Sequence, residues 1–160
     1  MDDSSWLFSE TDMSRFALPY PLGLEALPPY SYPTYPDGAL KTTVTDYGRF
    51  VRSLMSSAQG SGGLLSKAGI EEMLTAQPAD AMQALTWRYQ PLDEIGVDFL
   101  GVQPDTVGHT GGDPGILSFV LWNPRTRGAV ILFMNSTLER DESALPLLEV
   151  LKEAIAVAGV

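Results

Sequence analysis

Two runs, Ile116-Leu117-Ser118-Phe119-Val120-Leu121-Trp122 and Ala129-Val130-Ile131-Leu132-Phe133-Met134, are almost wholly apolar and lie a short connection apart. A strand with one wet face alternates apolar and polar residues, whereas a strand with no polar face is covered on both sides. The connection, Asn123-Pro124-Arg125-Thr126-Arg127-Gly128, is rich in turn formers and suits a hairpin. An antiparallel pair with a layer on each face is therefore expected. One layer is legible downstream, where Leu147, Leu148, Leu151, Ile155 and Ala158 form a helical stripe that ends at Gly159. Pro146 fits the first turn of that helix, and Asp141-Glu142-Ser143 suits its N-terminus.

Upstream of the hairpin the periodicity differs. Thr43 to Asp46 has the form of a capping box, and Tyr47, Phe50, Val51, Leu54 and Met55 follow at helical spacing, predicting a helix from about Val44 to Ser57. Gln59-Gly60-Ser61-Gly62-Gly63 reads as a linker, because no strand precedes these glycines and no Gly-Lys-Ser/Thr ending follows. Ser66 caps a second short helix with Ile70, Met73 and Leu74 on its apolar face, stopped by Pro78. In the first forty residues Pro19, Pro21, Pro28, Pro29, Pro33 and Pro36 interleave with Tyr20, Tyr30, Tyr32 and Tyr35. Each proline removes a backbone donor, so this segment is expected to be an ordered loop laid over a core. From Ile95 the pattern predicts β-runs at Ile95–Val102, Thr106–His109, Ile116–Trp122 and Ala129–Asn135. The fold class is α+β in one domain: a loop and helical region over 1–94, then an antiparallel sheet with a terminal helix over 95–160.

Composition narrows the function. The 160 residues carry a formal net charge of -10, which argues against a phosphate-tracking nucleic-acid binder or attachment to an anionic membrane. With no cysteine there is no disulfide, thiolate metal site or thiol nucleophile, and the compartment stays open. The opening Met1-Asp2-Asp3-Ser4-Ser5 lacks the basic and apolar regions of a secretory signal. Neither a metal nor an organic cofactor is expected, since the single histidine with Asp105 and Asp113 nearby lacks the paired spacing of zinc ligands. Trp87 and Trp122 lie in apolar surroundings and read as core rather than as a ligand platform. Ser118 and Ser136 lack the Gly-x-Ser-x-Gly setting of an exposed nucleophile.

The remaining chemistry gathers in Gly108-His109-Thr110-Gly111-Gly112-Asp113-Pro114-Gly115, which reads as a rigid glycine-rich turn that carries the only histidine and forms a pocket wall. Together with Tyr35-Pro36-Asp37-Gly38-Ala39-Leu40-Lys41-Thr42-Thr43, Asp46-Tyr47-Gly48-Arg49-Phe50 and the strand ending Met134-Asn135-Ser136, this run resembles the serine β-lactamases of the class C type. It equally resembles the related penicillin-binding proteins and esterases. The family's motifs are Ser-x-x-Lys, then Tyr-x-Asn or Ser-x-Asn, then Lys-Thr-Gly or His-Thr-Gly on a sheet strand. Only the third is present: no serine is followed three places later by lysine, and no tyrosine or serine stands two places before an asparagine.

The resemblance implies that the chain corresponds to the C-terminal half of such an enzyme, with catalytic roles for His109 and Gly112 and substrate contacts from Thr110 and Gly111. His109 would stand where many relatives carry lysine, Thr110 would face the acyl group or carboxylate, and Gly111 would let the wall approach the ligand. The Gly112 N–H would be one of two oxyanion donors, the other belonging to the absent serine. Histidine in place of lysine removes a fixed positive charge and favours an esterase or peptidase relative over an efficient β-lactamase. The expected activity is acyl-ester, β-lactam or peptide hydrolysis through an acyl-serine, on a small acyl substrate, and only when complemented. The alternative is a catalytically dead binding or assembly module on the same scaffold. In the family the other strands of the sheet come from the N-terminal segment, so an exposed edge, self-association or binding of a complementary segment is expected.

Overall fold

The computed structural model describes residues 1–23, 25–137 and 144–160. Three α-helices are present among them, α1 over Val44–Ala58, α2 over Lys67–Met73 and α3 over Leu145–Ala158, with strands β1 Arg88–Tyr89, β2 Val107–Asp113, β3 Ile116–Trp122 and β4 Ala129–Met134. The strands form one antiparallel sheet in the order β1-β2-β3-β4, so the architecture is α+β. No described helix is long and apolar enough to cross a membrane.

Both faces of the central pair are covered. On one face Val51 and Leu54 of α1 and Ile70 of α2 meet Trp87, Val107, Val120 and Trp122. On the other, Leu151 and Ile155 of α3 meet Phe119, Leu121 and Val130, with Leu92, Leu100 and Val160 closing the cluster. The period of two along β3 sends Val120 and Trp122 one way and Phe119 and Leu121 the other, which is why this strand has no polar face. Trp87 and Trp122 both belong to the core, with their rings edge to face at 5.5 Å.

The helix ends follow local chemistry. Thr43 caps α1 by accepting the Asp46 N–H at 3.1 Å, Ser66 caps α2 by accepting the Gly69 N–H at 3.1 Å, and Gly159 ends α3 in the left-handed region at φ 68°. Pro146 lies in the first turn of α3, while Asp141-Glu142-Ser143 lie outside the described residues. α2 ends at Met73, before Pro78 is reached.

Two expectations are corrected. Ile95–Val102 is not a strand: Asp93–Ile95 and Asp98–Leu100 are 3-10 turns, each closed by a glycine in the left-handed region, Gly96 at φ 73° and Gly101 at φ 77°. Those two reversals tuck Leu100 into the core and forbid an extended run. The glycine-rich run is likewise no turn over most of its length, because β2 continues to Asp113 and only Pro114-Gly115 reverse the chain. β1 is a further strand, two residues long, that hydropathy did not mark.

The capping box on α1 is half formed. Asp46 is 1% exposed, and rather than returning to Thr43 its carboxylate accepts the Asp3 N–H at 2.7 Å, the Ser4 hydroxyl at 3.0 Å and the Arg49 guanidinium at 2.6 Å. Burial pushes this carboxyl up, but those three donors outweigh it and hold the group below its ordinary range. A depressed folded value means that the stabilisation is present above the unfolded value, roughly 4, and is lost as pH falls through the folded one. Urea unfolding midpoints should therefore fall on acidification below about pH 4, and more steeply than in Asp46→Asn. Identical acid profiles for the two proteins would oppose this anchoring role.

Candidate active site

The hydrogen-bond phase of β2 follows from its turn. With only Pro114-Gly115 between the strands, Asp113 and Ile116 must be a directly bonded pair. Alternation then makes Gly111 with Ser118, His109 with Val120 and Val107 with Trp122 bonded pairs as well. Gly108, Thr110 and Gly112 consequently turn their N–H and C=O groups away from β3, toward the outer edge. At Gly108 that edge is filled by Arg88 of β1, but no described strand pairs with it beyond that point. The N–H groups of Thr110 and Gly112 thus line an open edge, a short row of fixed donors beside the end of β1.

The same alternation separates the candidate side chains. His109 and Gly111 lie on the Val107 face, and Thr110 and Gly112 on the other, so the His109 and Thr110 side chains project from opposite sides of β2. A Cβ on Gly111 would run into the Ser118 hydroxyl, which explains the missing side chain there. A Cβ on Gly112 would meet only Leu117 at 3.8 Å.

His109 is exposed but held. Its ring stacks at a tilt on Trp87, 5.3 Å between centroids, and Nε2–H donates to the Thr86 carbonyl. Trp87 is 4% exposed and braced by Trp122, so the imidazole rests on the core through two indoles. Donation from Nε2 leaves Nδ1 of the neutral ring as an acceptor. Because the chain has one histidine, its ring nitrogens can be read without assignment: a protected Nε2–H and an unprotonated Nδ1 are expected in proton–nitrogen spectra. A predominant Nδ1–H form would contradict the Thr86 contact.

The tyrosine-rich loop closes the far end of β2. Tyr30 donates its hydroxyl to the Pro114 carbonyl at 2.8 Å, and Tyr32 donates to Asp113 Oδ1 at 2.8 Å. The bond to the Asp113 carboxylate pushes the Tyr32 phenol up to about 12, so Tyr32 remains a neutral donor. Thr86, Trp87, Tyr30 and Tyr32 were not candidate site residues in the sequence. Thr86 acts through a main-chain oxygen that any residue carries, and the tyrosines read only as loop aromatics. Ser118 is half-buried in mid-strand and Ser136 follows β4, and the described ring-nitrogen bond of His109 goes to neither of them. Among the described residues, no three side chains of metal-ligating type converge.

A groove of about 680 Å³ lies elsewhere, between α1 and the β4 edge, with Val51, Arg52, Met55, Arg127, Ala129 and Ile131 in its lining. It is on the opposite side of the sheet from β1. No curated protein and no solved structure matches the chain. The family model described as Beta-lactamase does match, over residues 7–152, and that span takes in the anchored helix α1, the whole sheet and the His-Thr-Gly-Gly strand. The chain belongs to the beta-lactamase family, within the serine β-lactamase and transpeptidase-like superfamily.

Proposed function

We propose that this chain supplies the pocket wall of a serine hydrolase that cleaves esters, β-lactams or peptides through an acyl-serine, the nucleophile coming from a companion segment. The observation that carries the reading is the outward N–H of Gly112, fixed by register and without a partner among the described strands past the end of β1. Backbone donors of this kind are useful where an acyl oxygen gains negative charge.

The chemistry divides as follows. A serine hydroxyl of the companion attacks the acyl carbon and gives its proton to a neighbouring base. The carbonyl oxygen, now anionic, faces the Gly112 N–H. Collapse of the tetrahedral species expels the leaving group with that proton, and water repeats the attack to free the serine. On this reading Thr110 and Gly111 border the substrate, and His109 offers an acceptor nitrogen to a substrate donor or to the activating network. Nothing in this division uses a metal or organic cofactor.

The isolated chain is expected to hydrolyse neither a chromogenic ester nor a cephalosporin above background, and to take no label from a covalent serine probe by mass spectrometry. Reproducible burst acylation of Ser118, Ser136 or any other serine would sink the division of labour. A second reading, a catalytically dead binding or assembly module, is favoured by the engagement of His109 Nε2 with a main-chain oxygen. The two part on complementation. Adding a segment that carries Ser-x-x-Lys restores turnover under the first reading and binds without turnover under the second.

A further inference from the structure

Lys41 lies within the Tyr35–Thr43 run, yet neither the pocket wall nor the acyl chemistry uses it. Its backbone forms an isolated antiparallel bridge with Ser5, each N–H donating to the other's carbonyl at 2.9 Å. That bridge sets Trp6 and Phe8 beside the side chain. Lys41 Nζ donates to the Trp6 carbonyl at 2.8 Å and lies 4.1 Å from the centre of the Phe8 ring. Phe8 is braced edge to face by Phe16, 5.7 Å between centroids. The lysine is half-buried against this short N-terminal arm.

What this seat lacks is a counter-charge. Among the described residues no carboxylate pairs with Lys41, whereas Lys67 has Glu71 at 3.4 Å. The acids of the segments that meet there are engaged elsewhere. Glu10 accepts the Ser5 hydroxyl at 2.7 Å, Asp3 takes the Arg15 guanidinium at 2.5 Å, and Asp46 is held by Asp3, Ser4 and Arg49. An ammonium set against an apolar ring and a neutral carbonyl gives up hydration that only partial charges replace, so its charged form is disfavoured. Burial accordingly pushes this ammonium below its ordinary range. The Phe8 face attracts the cation and tempers that shift. A larger share of neutral amine at neutral pH makes a stronger nucleophile.

We propose that Lys41 is an acylation site for activated acyl donors of the acyl phosphate class, and that its acylation loosens the arm over residues 1–16. In the step, the neutral Nζ attacks the acyl carbon, the N–C bond forms and the C–O bond to phosphate breaks. Phosphate leaves with the electron pair, and the surplus amine proton passes to solvent. The resulting amide carries no charge, so the attraction to the Phe8 face is lost. The added acyl group must also find room beside Phe8 and the Trp6 carbonyl. Both belong to the arm, so the arm is what moves. Neither Gly112, His109 nor an acyl-serine enters this step, and it stands or falls separately from the hydrolase reading.

The chain has three lysines, Lys41, Lys67 and Lys152, and so carries its own reference sites. The folded chain is treated with limiting acetyl phosphate at neutral pH, and the modified positions are mapped by mass spectrometry. Acetylation of Lys41 about fivefold faster than of either other lysine is expected, with the preference erased in concentrated urea. Hydrogen exchange reports the second half of the proposal. The Ser5 N–H, bonded to the Lys41 carbonyl, should exchange about tenfold faster after acetylation and in Lys41→Gln, and near the wild-type rate in Lys41→Arg. Because the acetylated protein is the natural chain, the test survives a variant that folds poorly. Labelling of Lys41 in the folded chain that is no faster than at Lys67 and Lys152 overturns the proposal, as does acetylation that leaves Ser5 exchange unchanged. A preference that persists in urea overturns it too, since it would come from local sequence rather than from the fold.

Discussion

Trp122→Ala is expected to remove about 3–5 kcal/mol of stability, a large share of the roughly 5–15 kcal/mol that holds a domain of this kind together. Trp122 is 0% exposed and lies where α1, α2 and the sheet meet. Its removal leaves a void bordered by Trp87, Val120 and Val51, which sit on separate elements and cannot all close inward. Urea unfolding should show the loss as a lower midpoint at nearly unchanged slope. The same change loosens the indole beneath His109, so faster exchange of its Nε2–H should accompany the lost stability. Trp122→Phe discriminates between size and polarity. Trp122 Nε1 is buried with no hydrogen-bond partner among the described residues, so phenylalanine gives up volume but also an unpaired donor, and a cost below about 2 kcal/mol is expected. Equal losses for alanine and phenylalanine would argue against the cavity explanation.

Gly115→Ala is the second large effect, expected at about 2–5 kcal/mol from two independent penalties. Gly115 sits at φ 80°, where a Cβ is strained, and that Cβ would stand 2.5 Å from the Tyr20 nitrogen and 2.7 Å from the Pro19 carbonyl carbon. Main chain cannot rotate aside as a long side chain can. The hairpin must shift or the Pro19–Tyr20 segment must leave, and either movement disturbs the bond from Tyr20 to Asn135. A wild-type unfolding midpoint in Gly115→Ala would show that this contact is slack. Protease sensitivity in the first forty residues reports which side yields.

The helices and the central hairpin could be read from the chain because each carries two agreeing local cues. α1 combines a threonine cap with a stripe at helical spacing, and β3 and β4 combine continuous apolar runs with a turn-rich joint. Ile95–Val102 misleads because alternating apolar residues look the same in a strand and in two successive 3-10 turns; the glycines at 96 and 101 decide, through φ angles that hydropathy does not encode. β2 extends farther than its composition suggests, since glycine is a poor strand former, yet Gly111 is accommodated because the Ser118 hydroxyl fills its place. At the site, His109 was conspicuous as the only histidine, but its partner is a carbonyl oxygen brought in by the residues before β1. Main-chain partners leave no trace in side-chain spelling. Likewise, Asp46 reads as half of a capping box, and only the fold reveals that it grips the chain's first residues.

The strands lie side by side in the order in which they occur along the chain. β2 and β3 are joined by Pro114-Gly115 and β3 and β4 by residues 123–128, so these pairings close only short loops and incur little chain entropy. The link from Tyr20 to Asn135 spans most of the sequence and is costly by comparison. The expected assembly therefore has a direction: the hairpins close first and the helices that cover their two faces follow, and the early tyrosine-rich arm is the piece expected to arrive last to wrap them.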